Sequence, residues 1–359
     1  MPHSLLVLSI LAVGHCGQAG NPTPTQPGTP SASPPAAASG WLSTARNQIV
    51  TSAGTPWMGR GVNIFDTRSC NACSYEPPSA AEVKRRIDEA VAWGANFFRL
   101  TLESYSASGG RVHWKGVLDD SAYVAELQEI VRHVASKPGV YVMLSLWVDP
   151  TLDANGWPTA DTVAVWRRLA DVFKAEPRVM FGVANEPAAN FDGSRDATVW
   201  EAMNRVVEAI RAAEDSAGAP NHLVSVQGTR QWARVLDYYV QRPIAAKAGI
   251  NVVYETHVYD PSDTFQRRFE DPSRQLPVVI GEFGPVDEPG VSLMTLDDCD
   301  RLIARAEALG VSYLAWTFHM RCSPDLLQDL SGGGCGIGMS LRPTAWGELL
   351  RARLLRYSQ

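Results

Sequence analysis

No segment beyond the first twenty residues is long and apolar enough to cross a bilayer, and no basic stripe runs along the chain. The 32 Lys and Arg stand against 38 Asp and Glu, a formal net charge of −6. The first absence leaves no membrane-spanning helix in the body of the protein. The second removes the electrostatic footprint that a phosphate backbone requires, so no nucleic-acid partner is expected. No Gly-x-Gly-x-x-Gly turn follows the first apolar strand, which argues against a dinucleotide-binding sheet. Cysteine is scarce, 6 in 359 residues. Cys70 and Cys73 have metal-ligand spacing, but no second pair exists to complete a zinc site, so disulfides or structural thiols are the expectation.

What the chain does have is apolar mass. It is 45% hydrophobic and 19% charged, enough to bury one large catalytic-size core. Its 11 Trp are many for this length. Indole faces stack on flat apolar surfaces, sugar rings among them, although most of these side chains are expected to fill the core.

The N-terminus reads as an address. Residues 5–13 are apolar over the length of a signal peptide, and Gly17-Gln18-Ala19 offers small residues for cleavage, so residues 1–19 are expected to be a signal peptide and the protein to be secreted or extracytoplasmic. Cys16 stands where a lipoprotein cysteine would, which makes a lipid anchor to the envelope the variant expectation. Residues 20–40 are nearly all Pro, Thr, Ser, Ala and Gly, a disordered linker by composition. Residues 41–359 form the domain. Five cysteines remain past the signal, and a bridge from Cys322 to Cys335 across the Gly-rich stretch 331–334 is expected.

Past Trp41, apolar runs alternate with amphipathic ones. Strands are expected at 61–65, 96–100, 140–147, a run ending at Glu186, 222–226, 252–259, a run ending at Glu282, and 312–316. Helices are expected at 79–93, 119–136, 162–175, 197–217, weakly at 231–239, then at 295–309 and 344–355. Eight strand-then-helix units close into an α/β (β/α)8 TIM barrel, since right-handed crossovers leave few other solutions.

In such a barrel every strand's C-terminal end faces one mouth. Phe181-Gly182-Val183-Ala184-Asn185-Glu186-Pro187 and Pro277-Val278-Val279-Ile280-Gly281-Glu282-Phe283-Gly284-Pro285 each deliver a carboxylate to a strand tip and then turn away. Arg99, Asn185, His257, Tyr259 and Trp316 fall at strand ends in the same register. Paired carboxylates across a cleft can hydrolyse glycosides, one protonating the leaving oxygen and the other attacking the anomeric carbon or activating water. Arg99 and Tyr259 beside Glu282 would keep it ionised and nucleophilic. Glu186, near His257 and opposite a second negative charge, would carry the proton. Asn185 could bind a sugar 2-hydroxyl and Trp316 could floor the ring.

These motifs, Asn185-Glu186-Pro187, His257-x-Tyr259, Ile280-Gly281-Glu282-Phe283-Gly284 and Trp316, resemble glycoside hydrolase family 5, a retaining (β/α)8 family, over about residues 41–355. The resemblance implies that Glu186 is the acid/base and Glu282 the nucleophile, with retention and with no metal or organic cofactor. It departs at the third strand, where members usually carry a His. Trp147 stands in that place here, with Asp149 close by. Trp114, Trp157 and Trp232 lie in or beside loops on the mouth side and could be stacking platforms, and Phe318, His319 and Arg321 another wall. The expectation is an exported endo-β-1,4-glucanase, monomeric, acting on a β-linked polysaccharide or oligosaccharide. A β-mannanase is the nearest rival, and a non-catalytic carbohydrate-binding barrel the rival from another class.

Overall fold

The apolar runs of the sequence become the staves of one sheet. The computed structural model describes residues 40–67, 79–102, 104–105, 111–112, 114, 116–147, 155–286 and 294–358. The expected signal peptide, the linker up to residue 39, Cys70, Cys73 and Asp149 lie outside these residues. Eight parallel strands, β1 Arg60–Phe65, β2 Phe97–Leu102, β3 Tyr141–Leu146, β4 Val179–Gly182, β5 Val224–Gln227, β6 Val252–Val258, β7 Val278–Phe283 and β8 Ser312–Ala315, form a closed barrel. Each strand pairs with its neighbours in sequence, and β8 closes on β1 with Tyr313 opposite Arg60. This is the (β/α)8 barrel expected from the strand and helix alternation.

The strands are almost wholly buried because both faces are covered. Outward residues pack under the helices α1 Ala80–Ala92, α2 Ser121–Ala135, α3 Ala160–Phe173, α4 Asp196–Ser216, α6 Leu296–Leu309 and α7 Ala345–Tyr357. The inward residues change character along the barrel axis. Toward the strands' N-terminal ends they are apolar, Phe97, Tyr141, Met143, Met180, Val253 and Val279 in one cluster. Two or four residues further on, on the same face, come Arg99, Ser145, Glu255 and His257. The floor is therefore greasy and the mouth polar. An N-terminal hairpin, Leu42–Ala45 with Gln48–Thr51, seals the floor by adding Leu42 and Ile49 to the interior cluster.

Side-chain caps fix where the helices begin. Ser79 accepts from the Glu82 N–H, Asp120 from Ala122 and Tyr123, and Thr159 and Thr295 each close a reciprocal box with Thr162 and Asp298. Two segments depart from expectation. The weak helix at 231–239 is only α5, Asp237–Gln241; before it Gln231, Trp232 and Ala233 sit at φ 54°, 54° and 65°, three consecutive left-handed residues that no helix accommodates. Between β6 and β7 the crossover is short and irregular, Gln266–Glu270 running into Asp271–Ser273.

Candidate active site

Backbone strain starts the site. Val183 and Ala184 continue β4 into the interior, and then Glu186 takes φ 47°, a left-handed conformation that costs a non-glycine residue energy. Its N–H donates to the side-chain amide oxygen of Gln227 at 2.5 Å, so the end of β5 holds the turn in place. The turn aims the Glu186 carboxylate into the mouth, where its side chain keeps 28% of its surface exposed; that of Glu282, at the tip of β7, keeps 6%.

Glu282 is gripped at both oxygens. Arg99 Nη1 donates to Oε1 at 2.8 Å and the Tyr259 hydroxyl to Oε2 at 2.9 Å. Arg99 itself is fully buried, and its fork is fixed by Asn63 Oδ1 at 2.9 Å and by the Asn185 amide oxygen. Asn63 in turn donates to the Gly281 carbonyl at 2.9 Å. His257 Nδ1 lies 2.9 Å from Glu186 Oε1 and 3.5 Å from Glu282 Oε2. Thus Arg99, Asn185, Glu186, His257, Tyr259 and Glu282 converge on one point.

The charges follow from this packing. Burial works against a cation at His257 and is the largest effect, but the carboxylates of Glu282, Glu186 and Glu255 outweigh it and raise its pKa to about 9. His257 is therefore an imidazolium at neutral pH, a donor at both ring nitrogens. Burial first, and then the charges of Glu282 and Glu186, push the Tyr259 phenol well up, so it keeps the proton it donates. Burial and the nearby Glu186 charge lift the pKa of Glu282, and His257, Arg99 and Tyr259 oppose that rise without cancelling it.

A Glu186 oxygen, a His257 nitrogen and a Glu282 oxygen all lie within 4.8 Å of one another. Three such groups also have the spacing of a cation site. In this structure the two Glu282 oxygens accept hydrogen bonds from Arg99 and Tyr259.

Around the pair opens a cleft of about 1070 Å³. Trp147 and Trp316 line it half-buried, and Trp232 lines it with 41% of its surface exposed. Trp316 ends β8, donates its indole N–H to the Cys322 carbonyl at 3.1 Å, and meets Phe65 edge-on at 5.6 Å. Trp232 meets Phe191 edge-on at 4.7 Å, and the Arg234 guanidinium lies 5.8 Å from its ring centre. The left-handed run Gln231-Trp232-Ala233 is what presents this ring to the cleft.

Several expected mouth residues are elsewhere. Trp114 and Trp157 are buried in the core that the helices cover, so neither is a stacking platform. Phe318 and His319 are buried too, Phe318 against Trp93, rather than walling the cleft. Cys335 is disulfide-bonded but Cys322 is not, so no bridge joins the two.

Sequence reasoning passed over three residues. Asn63 lies inside β1 and orients Arg99. Gln227 ends β5 and holds both the Glu186 N–H and, at 2.9 Å, the carboxylate of Glu255. Glu255, inside β6, is fully buried and pulled down to a pKa of about 2: burial opposes this, but Arg99, His257 and Ser225 overcome it. The signal was an acid two residues before His257, on the same face of an otherwise apolar strand.

Comparison with known proteins places this geometry. Residues 52–321 match the family model for cellulase (glycosyl hydrolase family 5). The mannan endo-1,4-β-mannosidase of Streptomyces lividans is 25% identical over 302 residues, which cover 80% of this chain and 69% of that protein. Endoglucanase 1 of Ruminococcus albus is 24% identical over 269 residues, 64% of each chain. Among solved structures, a β-glucanase from Saccharophagus degradans in complex with cellotetraose superposes with a TM-score of 0.65 at 20% identity, covering 89% of this chain and 94% of that one. A β-mannanase from Thermomonospora fusca gives 0.63 at 19% identity over 86% and 93%. These structures share the fold.

Proposed function

The chain belongs to glycosyl hydrolase family 5, and on that footing we propose that it cleaves internal β-1,4 bonds of a β-glucan by double displacement, with Glu282 as nucleophile and Glu186 as acid/base. One observation carries the stereochemical part: oxygens of the two carboxyls lie within 4.8 Å of each other. Retaining enzymes hold their carboxyls about 5–5.5 Å apart, whereas inverting ones leave about 6.5–9.5 Å for a water.

In the first half-reaction Glu282 attacks the anomeric carbon while Glu186 gives its proton to the leaving oxygen. Arg99 and Tyr259 fix the attacking carboxylate so that little reorganisation is left for the transition state. Asn185 spends its amide oxygen on Arg99, and its N–H2 is the group that would donate to the sugar 2-hydroxyl. In the second half-reaction Glu186, now a carboxylate, takes a proton from water as it attacks the glycosyl ester. The open cleft with Trp147, Trp232 and Trp316 along it suits attack within a chain.

A β-mannan is the second reading, supported by the similarity to the Streptomyces lividans mannosidase. Hydrolysis of carboxymethylcellulose, mixed-linkage β-glucan and β-mannan, beside the Glu186→Gln and Glu282→Gln variants, separates the readings. We expect glucan cleavage with β-configured products by proton NMR and a loss of at least about 10³-fold in each variant. Activity surviving either substitution, or α-configured products, would sink the mechanism.

We also propose that the protein works outside the cytoplasm. The apolar residues 5–13 and the disulfide at Cys335 support this, since disulfides persist in oxidising compartments. Mass spectrometry of the protein from medium and envelope fractions tests it. An uncleaved, unlipidated chain confined to the cytoplasm would refute it.

A further inference from the structure

Glu255 is the carboxylate of the site that no substrate can touch. It is fully buried in β6, and its neighbours surround it on three strands. Its Oε1 receives Gln227 Nε2 at 2.9 Å and His257 Nε2 at 3.1 Å, and its Oε2 receives the Ser225 hydroxyl at 2.7 Å. Arg99 Nε lies 3.1 Å from the same Oε1, too far off the N–H axis for a hydrogen bond, so that contact is Coulombic. These cations are the ones that reach forward to the mouth, Arg99 to Glu282 and His257 to Glu186. Each therefore has a reacting carboxyl in front of it and Glu255 behind.

We infer that Glu255 is a positioning residue, the standing counter-charge that keeps the cluster of Arg99, His257, Glu186, Glu255 and Glu282 electrically neutral through both halves of the reaction. The inference rests on the hydrolase reading above. Before reaction, the charges of Arg99 and His257 balance those of Glu255 and Glu282, and Glu186 carries a proton. During glycosylation the bond from the anomeric carbon to the leaving oxygen breaks and the bond to Glu282 forms. The Glu186 proton leaves on the departing hydroxyl, so Glu186 becomes the anion as Glu282 becomes a neutral ester. Water reverses both changes in the second half. The sum stays at zero only because one negative charge never takes part. Arg99, His257 and Glu255 are fully buried, where an uncancelled charge is expensive, and the groups would shed a proton to remove it.

Glu255→Gln keeps the shape and deletes that charge. Its effect is read through Arg99, His257, Glu186, Glu282 and Tyr259, the charged and titratable groups facing it, while Ser225 and Gln227 are neutral. With one positive charge in excess, the groups lose protons at lower pH. We expect the alkaline limb of kcat/KM against pH to move down by about 1–2 units, the effect of a full charge at contact range. We also expect kcat to fall more than KM changes, on whichever polymer the parent hydrolyses. Limbs that stay in the parent's place, whatever the rate or melting temperature, would make Glu255 a structural filler and overturn the inference. Should this variant not fold, the parent alone still decides. Nitrogen-15 NMR of the His257 ring, assigned by its loss in His257→Gln, should show both nitrogens protonated at pH 7 and 8. A neutral ring at pH 7 breaks the charge balance. This arm needs no substrate, so it can fail while the hydrolase reading stands, and the reverse.

Discussion

Gly281→Ala is the smallest change that should disable the site without touching any side chain in it. A methyl carbon built on Gly281 would lie 2.1 Å from Glu255 Oε1, 2.5 Å from its Cδ and 2.6 Å from its Cγ. Ordinary contacts need about 3.5 Å or more between carbons, so about 1 Å of room has to open. Glu255 cannot swing aside, because Gln227, His257 and Ser225 hold its carboxylate. The backbone of β7 cannot retreat freely either, because Asn63 holds the Gly281 carbonyl and β6 and β8 flank the strand. Overpacking a core costs about 1–3 kcal/mol. Each hydrogen bond lost to a charged group adds about 1.5–3 kcal/mol. The sum, about 3–6 kcal/mol, is a large part of the roughly 5–15 kcal/mol that holds a domain folded. At about 2–4 °C per kcal/mol for a domain this large, the melting temperature should fall by on the order of 10 °C. Turnover of the folded fraction should drop at least about tenfold, since a misplacement of about 1 Å can cost 10²-fold in rate. Thermal unfolding by circular dichroism and polymer hydrolysis below the transition read both. A cycle with Glu255→Ala isolates the cause: the methyl should cost about 1–3 kcal/mol less where the carboxylate has been removed. Parent-like melting and turnover in Gly281→Ala, or strict additivity in the cycle, would refute the packing argument.

Trp232→Ala should raise KM for a long-chain substrate about 3–10-fold, the weight of one aromatic stack, with kcat and melting temperature nearly unchanged because the ring is 41% exposed. An unchanged KM would remove it from the binding surface. Two buried histidines give stability opposite slopes with pH. His257 is raised to about 9 in the fold against about 6.5 unfolded, so its contribution is complete below 6.5 and is lost as pH rises through 9. His319 is pushed down to about 3, by burial first and then by Arg86 and Arg321, so its contribution is complete above 6.5 and is lost as pH falls toward 3. Melting temperature should therefore be highest near pH 6.5. His319→Gln should flatten the acid side and spare the alkaline side, and an unchanged acid slope in that variant would contradict the assignment.

The barrel was legible because its signals are periodic and local: apolar runs of strand length, capped helices between them, and a polar residue wherever a strand stops. The mouth was legible for the same reason, since Asn185, Glu186, His257, Tyr259 and Glu282 sit at or next to strand tips that one topology must gather, and Arg99 lies inside β2 on the same inner face. Glu255 lay hidden because it sits one step below the tip, where a reading of strand ends does not look, although the two-residue spacing to His257 put it on the inner face. Trp114, Trp157 and Trp232 look alike in sequence. Only the packing shows that two of them carry helices on the barrel wall and that one is pushed out by consecutive left-handed residues. The bridge expected from Cys322 to Cys335 failed because closeness along a Gly-rich loop says little about which sulfurs meet in three dimensions.

The sealed floor of the barrel bears on how this domain can be joined to anything else. Gly40 is tied there by the Tyr141 hydroxyl, and at the other end of the chain Ser358 packs on Gly94 while the Arg60 guanidinium lies over Tyr357. Both ends of the folded domain thus leave from the face opposite the mouth. A fusion partner, a surface tether or a circular permutation linking the two ends leaves the cleft unobstructed. A binding module meant to hand polymer to the cleft must instead reach around the barrel, past strands of six residues or so at about 3.3 Å each. Linker length, more than module affinity, would then set whether such a chimera gains anything from its added part.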